Sequence, residues 1–317
     1  MNKRLLITGG TGFLGRRLAL ALKDKYDITL TGRNNKQNLF AEKFTDCRVL
    51  PMNVVNIEAV RDTFSEVRPE IVMHAAATKF VDLAERQPME CVDVNVTGSQ
   101  NIARVSIEKG VKTVIGISTD KATPPVRNIY GMSKAIMERM FCAMNGKTET
   151  EFTCVRYGNV AWSTGSVLPI WKKMYEEKGK IGTTGPEMRR FFFTVEEAVK
   201  LVIVAIENIE ITKGKVLSRE MKSAQIEDLL KVWIEKKGGS WEKIIGRPGE
   251  RDDEYLVGEI ELLYASEMVV DHIKHYLISF NEKTKSPLHE IVYSGNAPRL
   301  SKEEISQILL NPPIEER

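Results

Sequence analysis

Cysteine is scarce in this sequence: Cys47, Cys91, Cys142 and Cys154 are the only four in 317 residues, and none lies in a CxxC pair. Such spacing supplies neither a disulfide framework nor a zinc-ligand set, so buried, reduced thiols in a cytoplasmic protein are expected, and no metal. Net charge is also small. A formal +3 with no dense basic stripe argues against a nucleic-acid partner. Long apolar runs are missing too. The start, MNKRLLITGG, is too short in apolar residues for a signal peptide. LVIVAI at 201–206 falls far below a membrane span. Secretion and membrane insertion are therefore not expected. No internal repeat or low-complexity linker divides the chain. What remains is 42% hydrophobic and 28% charged residues, in a length sufficient for one large or two unequal domains.

The first half alternates two patterns. RLLITG (4–9), DITLTG (27–32), CRVLPM (47–52), EIVMHAA (70–76), KTVIGIS (112–118) and EFTCVRYG (151–158) read as strands. GRRLALALKDK, NIEAVRDTFSEV, NVTGSQNIARVSIEKG and SKAIMERMFCAM carry apolar residues at helical spacing between them. Short apolar strands alternating with helices predict an α/β fold with a doubly wound parallel (Rossmann) sheet. After about residue 160 the rhythm breaks. Helices are predicted in GSVLPIWKKMYEEKG, in TVEEAVKLVIVAIEN behind a Thr194 cap, and in SAQIEDLLKVWIEKKG. GKVLS reads as a strand, GRPGERDDEYLV as a loop and LSKEEISQILL as a short capped helix. A smaller C-terminal substrate-binding lobe is expected. Residues 1–160 with about 193–220 form the expected cofactor domain, and about 161–192 with 221–317 the lobe.

ITGGTGFLG joins the first strand to the first helix, and Gly9, Gly12 and Gly15 form GxxGxxG. Missing Cβ atoms let the turn tighten, let backbone approach a pyrophosphate and let helix pack on strand. The helix N-terminus adds free N–H groups and a positive dipole end. The loop, with Thr11, Phe13 and Leu14, is thus expected to bind a dinucleotide. The second strand ends in TGRNNKQ, with Arg33 and Lys36 but no acid. A guanidinium binds a 2′-phosphate bidentately, so NADP is expected; the alternative is NAD, with Arg33 stacked on adenine. Ala75, Ala76 and Ala77 offer a wall of small residues where the cofactor backbone passes. His74 reads as a strand-end residue rather than a catalyst, and Trp233 and Trp241 as core or lobe-interface residues.

Tyr130 and Lys134 stand at i and i+4, on one helix face. A nearby amine favours phenolate, and a phenolate beside a nicotinamide takes the proton of an alcohol being oxidised. Ser118 or Thr119, at the end of strand five, is placed to hydrogen-bond the same alcohol. Asp120 and Lys121 follow directly in STDKA.

Together with HAAATKFVDLAERQPMECVDVNVTGSQN, YGMSK, VRYGNV, GSVLP, TGPEMRRFF, TVEEAV, IIGRPGE and YSGNAPRLSKEEI, these motifs resemble the extended short-chain dehydrogenases/reductases. Within them the chain resembles the UDP-N-acetylglucosamine 4,6-dehydratases of flagellin- and capsule-sugar synthesis. The resemblance implies oxidation at C4 of a UDP-sugar, loss of water across C5 and C6, and reduction at C6 with NADP regenerated. Tyr130 with Lys134 and Thr119 would serve the C4 hydroxyl. Lys121 and Asp120 would serve as base for C5 and acid for the C6 hydroxyl, in either order, with Lys121 partly neutral to act as base. The resemblance adds Asn53, Val54, Lys79 and Asn95 to the cofactor set. It also assigns Lys79, Asn159, Val167, Thr184, Arg190, Arg247 and Glu250 to UDP-GlcNAc or a related UDP-sugar. A homo-oligomer, dimer or hexamer, is implied. The chain departs from the family's pattern in places: the turn from Asp120 to Tyr130 is one residue longer, Asn53 stands for an acid, Thr164 for an Arg and Asp253 for a His. A UDP-sugar 4-epimerase or 4-ketoreductase is the alternative on this scaffold, and a non-catalytic NADP sensor the alternative from another class.

Overall fold

The computed structural model describes residues 2–246 and 249–313. Six parallel strands form as the apolar runs predict: β1 Lys3–Thr8, β2 Tyr26–Gly32, β3 Arg48–Pro51, β4 Ile71–His74, β5 Thr113–Ile117 and β6 Glu151–Val155. Their spatial order is β3-β2-β1-β4-β5-β6, the doubly wound arrangement with its switch point between β1 and β4. Strand Lys215–Arg219 continues the sheet in parallel beside β6. β4 and β5 are buried at every residue, because helices cover both faces. One face packs α1 (Phe13–Leu22) and the helix Val195–Glu207 through Leu18, Leu22, Leu201 and Val202. The other packs helices 57–67, 98–108 and 129–144 through Phe64, Ile102, Val105, Met137 and Phe141.

The sheet is larger than the sequence pattern predicts. Strands Ala265–Val270 and Ile273–Ser279 form an antiparallel hairpin that completes a nine-stranded sheet. They lie outside the smaller lobe expected for 221–317. The reason is local: Tyr276, Leu277 and Ile278 are buried as they pair against Lys215–Arg219, and antiparallel addition needs no crossover helix.

A separate core gathers Trp171, Trp233, Leu229, Leu230 and Ile305. Around it lie helices 167–178, 226–237 and 302–310 and a three-stranded sheet of Asn159–Val160, Arg189–Phe193 and Ser223–Gln225. Trp233 is core as expected. Trp241 is 36% exposed, on a strand whose four residues are all exposed, so it is not a core residue. The predicted caps form as capping boxes, Thr194 with Glu197 and Ser301 with Glu304. Helix 129–144 starts earlier than its apolar spacing suggests. Asn128 accepts from Gly131 N at 2.8 Å, and this cap places Tyr130 in the first turn. Among the described residues no helix is long and apolar enough to cross a membrane. All four cysteines are buried and free.

Candidate active site

The glycine loop sits at the carboxyl end of β1, beside the switch point. Gly9 has φ +64°, and a Cβ there would meet the Ala76 backbone at 2.6 Å, so the loop presses directly on the chain leaving β4. A Cβ on Gly15 would lie 2.4 Å from Gly10 Cα, so α1 packs against the turn. Gly12 differs. Its Cβ would meet only Gly9 O, at 3.1 Å, and it caps α1 with no side-chain hydrogen bond. The start of α1 therefore presents backbone N–H groups beside an open approach, which fits a dinucleotide pyrophosphate. Thr11 and Phe13 are buried, while Leu14 and Ala75 to Ala77 are half-buried.

Other candidates for the cofactor have protein partners. Arg33 extends from the end of β2 to Glu90 at 3.1 Å, both about half exposed. Asn53 Oδ1 accepts from Val55 N, and Val54 is buried against Gly98. Asn95 is fully buried. Its amide donates to Thr78 O and Ser133 Oγ, and its oxygen accepts from Thr78 N. It braces the loop after β4. His74 is also internal, bonded to Thr8 at 2.7 Å and Ser99 at 3.0 Å, and burial pushes its pKa down to about 3. It is the neutral strand-end residue the sequence suggests.

The residues of STDKA and YGMSK meet where β5 ends. Thr119 Oγ1 donates to Asp120 Oδ1 at 2.9 Å, and Lys121 Nζ donates to the same oxygen at 3.0 Å. Thr119 also lies beside Tyr130 and favours its phenolate. Lys121 Nζ reaches Asn159 Oδ1 at 3.4 Å. Asp120 is 0% exposed and Tyr130 9%. One contiguous buried group thus links a phenol, a hydroxyl, a carboxylate and an amine. Ser118 Oγ is buried beside it without a hydrogen-bond partner.

The electrostatics correct two expectations. Burial pushes the Tyr130 phenol up to about 12; the cation favouring its phenolate most is Lys121, with Thr119 assisting. Lys134 instead lies buried with Nζ 3.5 Å from Met137 Sδ, and burial lowers it to about 8. Lys121 is not partly neutral in this state. Burial disfavours its ammonium, but Asp120 and Glu254 outweigh that, and its pKa moves upward.

Glu254 is one residue that the sequence motifs did not single out. It is 4% exposed, 3.5 Å from Lys121 Nζ and 4.0 Å from Arg190 Nε. The only sequence signal is the acidic run ERDDE, which does not say which carboxylate turns inward. Asp253 turns the other way, paired bidentately with Arg189 at 2.8 Å. Arg251, buried and also missed, donates to Thr123 O and Pro125 O and so clamps the lengthened turn before Tyr130.

Among the proposed sugar-nucleotide residues, Asn159 and Arg190 reach this cluster. Thr184 donates to Glu250 at 3.0 Å, a separate pair. Val167 opens the helix 167–178, and a Cβ on nearby Gly165 would run into the Phe80 ring, so this loop adjoins that of Lys79. Lys79 itself is exposed, 5.9 Å from the Phe80 ring centre. Arg247 lies outside the described residues. A groove of about 510 Å³ near Tyr276, Leu288 and Ile291 contains none of these residues.

Comparison with known proteins matches this picture. A family model described as polysaccharide biosynthesis protein matches residues 5–275. The UDP-N-acetylglucosamine 4,6-dehydratase (inverting) of Campylobacter jejuni is 36% identical over 83% of this chain and 82% of its own. A Rickettsia bellii protein named UDP-glucose 4-epimerase is 32% identical over 98% of this chain and 96% of its own. The X-ray structure of Pen from Bacillus thuringiensis superposes with a TM-score of 0.89 at 30% identity, covering 98% of both chains. The chain therefore belongs to the polysaccharide-biosynthesis family of extended short-chain dehydrogenases/reductases, with UDP-N-acetylglucosamine 4,6-dehydratases among its relatives.

Proposed function

We propose that this protein is an NADP-dependent UDP-N-acetylglucosamine 4,6-dehydratase, a lyase that forms a UDP-4-keto-6-deoxy-N-acetylhexosamine. The observation that carries this reading is the Asp120–Lys121 pair, hydrogen-bonded to Thr119 and set beside Tyr130. Oxidation of an alcohol needs one proton acceptor, whereas elimination of water needs a second acid and base, and this cluster supplies both. The C. jejuni relative's name supports the same reaction. The Rickettsia names favour the alternative, a UDP-sugar 4-epimerase.

When bound, the dinucleotide supplies the two-electron acceptor and donor. The chain's residues do the rest. The α1 start would hold the pyrophosphate, with Ala75 to Ala77 alongside. Tyr130 Oη would take the C4 hydroxyl proton, with Thr119 hydrogen-bonded to it. Lys121 and Asp120 would then move protons at C5 and at the departing C6 hydroxyl. Arg190 and Asn159 are proposed to hold the sugar nucleotide from the lobe built around Trp171 and Trp233, with Lys79, Val167, Thr184 and Glu250 nearby and the large sheet serving as the cofactor domain. Arg33 supports NADP, with Glu90 displaced by the 2′-phosphate. Exposed Met132 and Ile136 on the helix of Tyr130 support pairing of subunits. Reduced, buried cysteines support a cytoplasmic location.

Incubation with UDP-GlcNAc tests the reaction by mass spectrometry and proton NMR. The expected product is lighter by one water, without net NADPH change, and Tyr130→Phe lowers turnover about 10²–10⁴-fold. An isomer of unchanged mass would establish the epimerase instead. Arg33→Glu should reverse a preference for NADP over NAD in direct binding; equal wild-type affinities would refute the NADP assignment.

A further inference from the structure

Glu254 stands just before the short strand Tyr255–Val257, far in sequence from the residues it faces. Its backbone is locked: Glu254 N donates to Ser294 Oγ at 3.1 Å, and Ser294 N donates to Glu254 O at 2.8 Å. Its carboxylate lies 3.5 Å from Lys121 Nζ, 4.0 Å from Arg190 Nε and 3.9 Å from Arg251 Nη1. Three cations from three segments thus converge on one buried anion. Glu254 Oε2, Arg251 Nη1 and Asp120 Oδ2 are buried with no hydrogen-bond partner. Natural proteins rarely leave such atoms bare without a functional reason.

We propose that Glu254 is a positioning residue for the Asp120–Lys121 pair: its carboxylate keeps Lys121 an ammonium in the free enzyme and aligns Arg190 and Arg251 beside it. Its catalytic consequence rests on the dehydratase reading above; its electrostatic effect does not. Lys121 is faced by Asp120 on its own turn and Glu254 from the C-terminal segment, with Arg251 behind. Arg190 comes from the strand 189–193, Tyr130 from the helix 129–144 and neutral Asn159 from the strand 159–160. Asp120 alone divides one oxygen between Thr119 and Lys121. The second carboxylate adds to Asp120 in opposing burial. In the resting enzyme the two carboxylates together hold the proton on Lys121, and Asp120 Oδ2 has no hydrogen-bond partner.

The test measures neutral amine directly in the free protein. Trace acetic anhydride at fixed pH acylates each lysine in proportion to its unprotonated fraction, read by peptide mass spectrometry. An opposite charge this close shifts a titration by about 1–3 pH units, so Glu254→Gln, which preserves shape, should raise Lys121 acylation about 10–1000-fold. Lys134, buried in the same region, gauges nonspecific opening and should not change. A Lys121 rise below about threefold, or an equal rise at Lys134, would overturn the proposal. Should the Gln variant fail to fold, Glu254→Asp carries the test: an intermediate rise at Lys121 alone supports it, and no rise overturns it. In kcat/KM profiles the alkaline limb should move to lower pH in Glu254→Gln. The labelling needs no turnover, so a failed dehydratase assay leaves its outcome intact.

Discussion

Arg156 follows β6 and is 0% exposed. All five of its N–H donors are used: Nε and Nη2 on Glu138 at 2.9 and 2.6 Å, Nη1 and Nη2 on Glu261 at 2.9 Å each, and Nη1 on Leu256 O at 2.9 Å. Glu138 and Glu261 are 1% and 2% exposed. Glu138 is one turn beyond Lys134 on the helix of Tyr130, while Leu256 lies in the strand that follows Glu254 and Glu261 lies just beyond that strand. This triad therefore ties the proposed catalytic helix to the segment bearing Glu254. Arg156→Met would strand two carboxylates in an apolar interior, at a cost of about 3–5 kcal/mol. The melting temperature should fall by about 6–15 °C, with this chain length at the smaller end. Acidification should relieve part of the loss, since protonating either carboxylate removes a buried charge. Urea unfolding followed by far-UV circular dichroism measures it. Combining Arg156→Met with Glu138→Leu and Glu261→Leu should recover much of the stability, because no buried charge remains. Recovery is incomplete, since Leu256 O and Gly258 N lose partners, about 1–3 kcal/mol each. A single-variant loss below about 1 kcal/mol, or a triple variant weaker than the single, would refute the reasoning.

Two other perturbations separate structure from binding. Gly9→Ala should destabilise the fold by about 1–3 kcal/mol, because it combines φ +64° with an overlap against Ala76 backbone that cannot rotate away. Gly12→Ala should change stability by less than about 1 kcal/mol yet weaken NADPH binding in a fluorescence titration, because its Cβ enters the open approach to α1; the opposite order contradicts the loop reading. His74 should stay neutral from pH 8 to pH 5 by ring-proton NMR, its folded pKa being about 3 against an ordinary 6.5. With the folded value depressed, its stabilisation is complete above about 6.5 and is lost as pH falls toward 3; a midpoint above pH 5 would count against its burial.

The sequence alone determined the features that depend on neighbours along the chain. Apolar runs alternating with helical periodicity specify β1 to β6 and their covering helices, since each period allows only one backbone geometry to bury its face. Gly9, Gly12 and Gly15 mark the turn into α1 for the same local reason. Tyr130 and Lys134 sit on one helix, and Asp120 adjoins Lys121, so these pairings were legible in short stretches. Tertiary structure alone decided the rest. The hairpin of 265–279 joins the large sheet because Lys215–Arg219 offers an edge beside β6. Of the four acids in ERDDE, Glu254 turns toward Lys121, while Asp253 takes Arg189. Arg156 finds Glu261 across 105 positions. How firmly Lys121 holds its proton depends on the distant Glu254 carboxylate as well as on adjacent Asp120, because an ion's preference is set by all the charges and burial around it in space.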